Sequence, residues 1–314
     1  MSRPADGVAP RERPGPHGPA AGAATARVLA GVLGLALAVS LAGCAVDDGA
    51  AASGEGERRT GPEELARGII SFARDEGEPV EGEFLAGLPV TVAVPDDPAA
   101  VVVLVPGGSW EVSDPTGFVE LGADLATRGL AAVTITYGTA DAGAYHPAAV
   151  HDIACGISFA AQQVPDVPVV VVGHSAGAHL AALVGLVPEW PADPGCPYPA
   201  RAADAVVGLA GPYDTARFRP AGLLGPDAEP AGWTESDPHT YVAERPELPF
   251  LLVHGDADDN TPMWFTTAFA ADLEAEGHPV TVETVAGADH IDVIRPPVVS
   301  AIIAGWVTDL VAGA

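Results

Sequence analysis

Residues 169–186 read VVVVGHSAGAHLAALVGL, and this stretch decides the fold that we predict. Its four valines form a β-branched run without polar alternation, which is typical of a strand buried on both faces of a parallel sheet. GHSAG follows at once, and the apolar segment after it favours a helix. We therefore predict a buried strand, a sharp turn at Ser175 and a helix over residues 176–186.

Strands and helices are predicted to alternate on both sides of this stretch. Short apolar runs predict further strands at residues 101–105, 130–137, 205–209, 250–253 and 280–285. Helical spacing occurs between and after them, at residues 118–128, 147–163, 264–277 and 297–311. This order predicts an α/β domain with a mostly parallel central sheet and helices on both faces, whose functional residues stand at the carboxyl ends of the strands. The segment 211–241, which is rich in Pro, Gly and Asp, is predicted to be a loop or a partial lid near the site.

The beginning of the chain has the composition of an export signal. A basic segment precedes the apolar run VLAGVLGLALAV, and Leu-Ala-Gly-Cys then ends at Cys44. This order is typical of a secretory signal, and the run is shorter than the roughly 20 residues that span a bilayer. Leu-Ala-Gly-Cys resembles a bacterial lipobox, which implies lipidation of Cys44. The alternative is an ordinary secreted protein in which Cys44 is incidental.

These features divide the chain into three parts. We predict a lipoprotein signal peptide at residues 1–43, a flexible tether at residues 44–61 and one folded domain at residues 62–314. The tether has few large side chains and no apolar periodicity. The protein is expected to be extracytoplasmic and anchored to the cell membrane by lipid on Cys44, or secreted if Cys44 is not lipidated.

Net charge and cysteine content indicate which partners, metal sites and crosslinks to expect. The chain has 314 residues, a formal net charge of −28 and no lysine. Such an acidic surface repels phosphate backbones, so we expect no nucleic-acid partner. The three cysteines form no Cys/His pattern of a zinc site, so no metal site is predicted. In an oxidising compartment Cys155 and Cys196 would form a disulfide that closes a loop of about 40 residues, the alternative being two separate buried thiols.

The string GHSAG matches G-x-S-x-G between a predicted strand and a predicted helix, and here the chain resembles the α/β-hydrolase family. It is most similar to the branch of small esterases that includes hormone-sensitive-lipase-like and feruloyl- or acetyl-esterase-like enzymes. GHSAGAHLA is also similar to the elbow of kynurenine formamidase-like members. The resemblance runs from about residue 90 to residue 311. It implies the α/β-hydrolase fold, with Ser175 as nucleophile on a strained turn.

Two further stretches resemble the acid and base segments of that family. LLVHGDADDNTP is similar to its H-G-x-x-D stretch, which implies Asp258 as the acid, with Asp256 and Asp259 as competitors. Gly-Ala-Asp-His ends at His290 after the last predicted strand. The order Ser175, Asp258, His290 is the order of this fold, with His290 moving protons and Asp258 orienting its imidazole. The other histidines and Asp152 are assigned no chemistry.

The sequence PGGSW at residues 106–110 stands where these esterases carry His-Gly-Gly-x-Trp or His-Gly-Gly-Gly. The resemblance implies an oxyanion hole made of the backbone N–H groups of Gly108, Ser109 and Ala176. Pro106 departs from the pattern, because the family usually has His there. A proline side chain cannot support the loop by hydrogen bonding.

The resemblance implies hydrolysis of a small-molecule carboxylic ester, with a small or medium acyl group, through an acyl-Ser175 intermediate. It implies no metal and no cofactor. One alternative is amide or formamide hydrolysis by the same three residues. Another is an inactive, surface-anchored binding lipoprotein, which Pro106 alone favours. The sequence leaves the oligomeric state open.

Overall fold

A central sheet organises the part of the chain that the structure describes, which is residues 79–188, 190 and 194–313 of a computed structural model. Its strands are β1 Val80–Leu85, β2 Leu88–Ala93, β3 Ala100–Val105, β4 Leu130–Ile135, β5 Val169–His174, β6 Ala205–Leu209, β7 Phe250–Gly255 and β8 Val280–Val285. They lie in the order β1-β2-β4-β3-β5-β6-β7-β8. The six strands from β3 to β8 are parallel to one another. The remaining two lie at one edge of the sheet, where β2 pairs antiparallel with β4 and β1 pairs antiparallel with β2. The mostly parallel sheet of an α/β-hydrolase fold is therefore confirmed.

Helices lie between the strands as the sequence predicts. Within the described residues they are α1 Thr116–Thr127, α2 Ala148–Gln163, α3 Ala176–Leu186, α4 Thr215–Phe218, α5 Ala221–Leu224, α6 Pro230–Glu235, α7 Trp264–Glu276 and α8 Val298–Ala312. Short 3₁₀ helices occur at Ala140–Ala142, Pro238–Tyr241 and Asp292–Ile294. The five longer helices begin and end within two residues of their predicted bounds.

Alternate residues of the central strands face two separate apolar cores. Val101 and Val103 of β3 pack in one core with residues of α2, α3 and α7, whereas Val102 and Leu104 pack in the other with residues of α1 and α8. All six residues of β3 are buried, as are all six of β5. Burial on both faces explains why these strands show no polar alternation, and it places helices on both sides of the sheet.

The hairpin of β1 and β2 is absent from our sequence prediction. Its first strand has the sequence VEGEFL, in which Glu81 and Glu83 are exposed and only Phe84 is fully buried. The strand lies at the edge of the sheet and one of its faces is open to water. It therefore lacks the continuous apolar run by which the other strands were predicted.

The segment predicted as a loop or partial lid, residues 211–241, is largely helical, and we call it the cap segment. It contains α4, α5, α6 and one 3₁₀ turn. None of these helices exceeds six residues, so apolar periodicity cannot reveal them. The backbone oxygen of Ser236 joins the cap segment to α3, because it accepts hydrogen bonds from His179 at 2.6 Å and from Thr215 at 3.0 Å.

The structure contains a disulfide between Cys155 in α2 and Cys196, whose Cα atoms are 5.7 Å apart. The predicted signal peptide, the tether, Cys44 and the domain boundary at residue 62 lie outside the described residues. No helix among the described residues has both the length and the apolar character needed to cross a membrane.

We expect the double variant Cys155→Ala/Cys196→Ala to lose up to about 4 kcal/mol of unfolding free energy, because the crosslink restricts the unfolded chain over 41 residues. Urea denaturation measures the loss, and wild-type protein treated with reductant serves as the matched control. Mass analysis after alkylation without reductant would contradict the pairing if both thiols reacted.

Candidate active site

The strand-to-helix turn at Ser175 is held in a conformation that a side chain rarely adopts. Ser175 has φ 52° and ψ −121°, and its N–H donates to the carbonyl of Leu209 at 2.9 Å. A Cβ on Gly173 would overlap the carbonyl of Gly177, and a Cβ on Gly177 would overlap the carbonyl of Val105. Both glycines of G-x-S-x-G are therefore required for α3 to approach the sheet this closely. The turn presents Ser175 at the carboxyl end of β5.

Asp258 and His290 meet on loops that follow β7 and β8. Asp258 Oδ2 lies 2.8 Å from His290 Nδ1, and Oδ1 accepts the backbone N–H groups of Asn260 at 2.9 Å and Thr261 at 2.8 Å. Only 1% of the Asp258 side chain is exposed. Burial acts to raise the pKa of this carboxyl, but the hydrogen bonds from Thr261, His290 and Asn260 outweigh it, so the pKa is lowered from its ordinary value. Asp258 is therefore ionised and holds the Nδ1–H tautomer of the imidazole.

The two competing carboxylates do not contact the imidazole. Asp256 and Asp259 are both exposed. The Asp256 carboxylate accepts the N–H of Gly287 at 2.5 Å, which braces the beginning of the His290 loop. Asp258 is thus the carboxylate that this fold brings to His290.

His174, the residue before Ser175, links the strand-to-helix turn to His290. Among the described residues the Ser175 hydroxyl makes no hydrogen bond to His290. The adjacent His174 does contact the base: its ring centre lies 4.6 Å from that of His290, and its Nε2 lies 2.8 Å from the His290 carbonyl oxygen. Serine and base therefore share one edge of the sheet, and a hydrogen bond between them is commonly long before substrate binds.

His174, which the sequence analysis left without a role, contacts the loop that carries His290. Its ring is 5% exposed and packs against Phe118 as well as His290. A Cβ on Gly107 would lie 3.0 Å from both His174 Nδ1 and Ser175 Cβ, so the 106–110 loop also touches this ring. Burial lowers the pKa of His174 to about 4, assisted by the nearby His290. The neutral ring donates through Nε2–H to the His290 carbonyl and so holds the His290 loop in place.

The 106–110 loop turns sharply beside Ser175. Gly108, Ser109 and Trp110 have φ values of 134°, 56° and 61°. The Gly108 carbonyl accepts from Glu111 at 2.9 Å and Val112 at 3.1 Å, which closes the turn. Within the described residues the N–H groups of Gly108 and Ser109 donate to no other group. Successive free N–H groups in such a turn form a concave site for an anion.

The third predicted oxyanion donor begins α3. Ala176 is the first residue of that helix and is fully buried. Its N–H has no acceptor among the residues that the structure describes. Because the first N–H groups of a helix lack intrahelical partners and carry the positive end of the helix dipole, Ala176 can contribute to the same anion site.

Two buried side chains support the loop where Pro106 replaces the expected histidine. Tyr137 donates its hydroxyl to the Pro106 carbonyl at 2.9 Å. Trp110 donates its indole N–H to His179 Nδ1 at 3.2 Å, and His179 Nε2 is 2.6 Å from the Ser236 carbonyl. Burial lowers the pKa of His179 to about 3, so the ring stays neutral, accepting from Trp110 and donating to Ser236. The loop is therefore fixed without a histidine at position 106.

A further buried imidazole orders the acid loop. His254 is fully buried, and its Nε2 lies 2.7 Å from the Thr261 carbonyl and 3.4 Å from Asp258 Oδ2. Its Nδ1 is 2.7 Å from the Thr266 hydroxyl. Asp152, to which the sequence analysis assigns no chemistry, accepts the N–H of Gly138 at 2.8 Å. Across the described residues, no group of three or more His, Cys, Asp or Glu side chains is arranged to hold a metal ion.

Comparisons with known proteins identify relatives of this chain. Residues 91–273 match the family model described as BD-FAE, a range that includes Ser175 and Asp258 and ends before His290. Esterase LipC of Mycobacterium tuberculosis is 31% identical over 206 residues, which are 58% of this chain and 50% of LipC. Esterase LipQ of the same organism is 28% identical over 233 residues, 67% of this chain and 54% of LipQ. The chain thus spans about half the length of these curated relatives.

Solved structures show the same fold. A truncated form of a carbohydrate esterase from gut microbiota superposes with a TM-score of 0.61 at 19% identity, covering 71% of this chain and 90% of that chain. At this identity the likeness is one of fold alone. The family model covers more than half of the sequence, and the chain therefore belongs to the BD-FAE family, on an α/β-hydrolase fold.

Proposed function

We propose that the protein is a serine hydrolase that cleaves carboxylic esters with a small or medium acyl group. The observation that carries the proposal is the contact of the ionised Asp258 with His290 Nδ1, at the edge of the sheet where the strained turn presents Ser175. The names of the relatives LipC and LipQ, both called esterases, support it.

The reaction follows from these positions. His290 Nε2 takes the proton of Ser175 as the hydroxyl oxygen attacks the ester carbonyl, and the N–H groups of Gly108, Ser109 and Ala176 stabilise the oxyanion. The C–O bond to the alcohol then breaks, and the imidazolium returns its proton to the leaving oxygen. Water, deprotonated by His290, then attacks the acyl carbonyl. The bond from the acyl carbon to Ser175 Oγ breaks, the imidazolium returns its proton to Oγ, and the carboxylic acid is released. Asp258 stabilises the imidazolium in both halves and stays ionised.

Replacing the nucleophile is the direct test. Ser175→Ala should lose covalent labelling by a fluorophosphonate probe and lower kcat/KM for 4-nitrophenyl acetate at least about a thousandfold. Ser113→Ala, a serine near the oxyanion loop, is the matched control and should label like wild type. Equal labelling of Ser175→Ala and wild type would exclude Ser175 as nucleophile. Assay of N-formylkynurenine in parallel separates ester from formamide hydrolysis.

His174 should affect the chemical step more than substrate binding. His174→Leu removes the hydrogen bond to the His290 carbonyl, and a misplaced base lowers kcat by about 10- to 100-fold with little change in KM. His174→Gln places an amide N–H near the former Nε2 position and should recover much of that loss. His278→Leu removes a buried imidazole that bonds the Leu248 carbonyl away from the site and controls for general destabilisation. Equal losses in His174→Leu and His174→Gln would refute the positioning role.

We also propose that the chain is exported and held at the cell membrane by lipid on Cys44. The support is the lipobox-like Leu-Ala-Gly-Cys after an apolar run, together with a disulfide that suits an oxidising compartment. Cys44→Ser should abolish incorporation of labelled palmitate and release the protein from the membrane fraction, because the acyl chains supply the membrane affinity. Ser175→Ala should stay anchored. Membrane retention of Cys44→Ser would contradict the anchor.

A further inference from the structure

The cap segment packs against both loops that frame the proposed nucleophile. A Cβ on Gly222 in α5 would lie 2.5 Å from the carbonyl oxygen of Ser109, so α5 rests directly on the oxyanion loop. The ring of Phe218 in α4 packs edge-on against Phe265 at the start of α7, with ring centres 5.9 Å apart. α7 begins three residues after Thr261, whose N–H binds the Asp258 carboxylate. The α4–α5 region therefore forms part of the rim of the site.

Two arginines on this rim form no ion pair with a carboxylate among the residues that the structure describes. Four of the six arginines within the described residues form ion pairs with carboxylates: Arg128 with Asp124, Arg201 with Asp204, Arg245 with Glu247 and Arg295 with Asp292. The remaining two, Arg217 and Arg219, flank Phe218 and are exposed. In a chain with a net charge of −28, positive charges are scarce, and these two stand two positions apart, Arg217 in α4 and Arg219 directly after it.

Arg217 and Arg219 contact tryptophan rings instead of carboxylates. The guanidinium carbon of Arg217 lies 4.9 Å from the ring centre of Trp264, and that of Arg219 lies 6.0 Å from the ring centre of Trp233. Cation–π contact restrains a guanidinium and leaves N–H donors at its edge available for a carboxylate. Arg219 uses one donor, Nε, on the Ala216 carbonyl at 3.0 Å.

Two carboxylates that contact the backbone of α4 are engaged with N–H groups. Asp214 accepts the backbone N–H of Arg217 at 3.0 Å, and Asp237 accepts that of Ala216 at 2.7 Å. Neither forms an ion pair with the guanidinium of Arg217. The exposed Phe218, with 55% of its surface accessible, adds an apolar surface between the two cations.

We infer that Arg217, Phe218 and Arg219 recognise a carboxylate-bearing portion of the ester substrate, an inference that rests on the proposed esterase function. The carboxylate binds the two guanidinium groups, and the chain or ring next to it packs on Phe218. The rest of this acidic protein repels anions, so a local pair of cations at the rim is what allows an anionic ester to approach.

Matched pairs of esters on the full chain test the inference. One pair places the charge on the acyl side: the 4-nitrophenyl monoester of glutaric acid against neutral 4-nitrophenyl valerate. The other places it on the alcohol side: 4-acetoxybenzoate against its methyl ester. The variants are Arg217→Gln/Arg219→Gln, the charge-conserving Arg217→Lys/Arg219→Lys, and the control Arg128→Gln/Arg201→Gln, which removes two cations just before β4 and β6 at the opposite edge of the sheet.

We expect Arg217→Gln/Arg219→Gln to lower kcat/KM for the anionic member of at least one pair by about five- to twentyfold, through KM. The neutral members should change by less than about twofold, and the lysine variant should retain most of the anionic activity. The difference should shrink in about 0.5 M NaCl, because salt screens exposed charges. The control should leave every anionic-to-neutral ratio as in wild type.

Equal losses on anionic and neutral esters, or no loss on either, would overturn the inference while leaving the esterase proposal intact. Wild-type turnover of the neutral esters that is abolished in Ser175→Ala separates the two questions, and absence of any turnover would overturn both. If Arg217→Gln/Arg219→Gln keeps the wild-type ratio of kcat/KM between anionic and neutral esters but loses binding to phosphatidylglycerol vesicles, the inference is overturned. The two arginines would then bind a membrane surface instead of the substrate.

Discussion

The close approach of α3 to the ends of β3 and β5 is the constraint on which the site depends. The helix starts at the turn itself, and its second residue, Gly177, lies against the carbonyl of Val105, where no side chain fits. The approach forces Ser175 to a positive φ, and it brings the N–H of Ala176 next to the 106–110 loop. The positions of the proposed nucleophile and of the proposed oxyanion donors therefore follow from a single backbone arrangement.

Three buried imidazoles then fix the loops around that turn. The His174 ring forms a hydrogen bond to the carbonyl of His290, and the His254 ring forms one to the carbonyl of Thr261, in the loop that carries Asp258. The His179 ring bonds the indole of Trp110 and the carbonyl of Ser236 in the cap segment. For each, burial is the largest cause of a lowered pKa, so the rings stay neutral and keep one donor and one acceptor nitrogen. A neutral imidazole can connect a hydrogen-bond donor to a hydrogen-bond acceptor, because one of its ring nitrogens accepts and the other donates. A charged imidazole cannot do this, because both of its nitrogens donate.

Local patterns were enough to predict the sheet and the longer helices, because each rests on a continuous apolar run or on helical spacing. The pairing of Asp258 with His290 was implied by the resemblance to the α/β-hydrolase family, with Asp256 and Asp259 as competitors. The helices of the cap segment could not be predicted in this way, because helices of four to six residues are too short to show an apolar periodicity. The roles of His174 and His179 were hidden for another reason. Their partners, the carbonyls of His290 and Ser236, stand 116 and 57 residues away in the chain and meet them only in the folded protein.

The bridge from Trp110 through His179 to Ser236 couples two parts of the molecule that are far apart in the chain. Trp110 of the 106–110 loop and Leu223 of the cap segment also line one small cavity. Because the neutral His179 ring bonds both the loop and the cap segment, a displacement of the cap segment is transmitted to Trp110. The cap segment is therefore mechanically coupled to the loop that carries two of the proposed oxyanion donors.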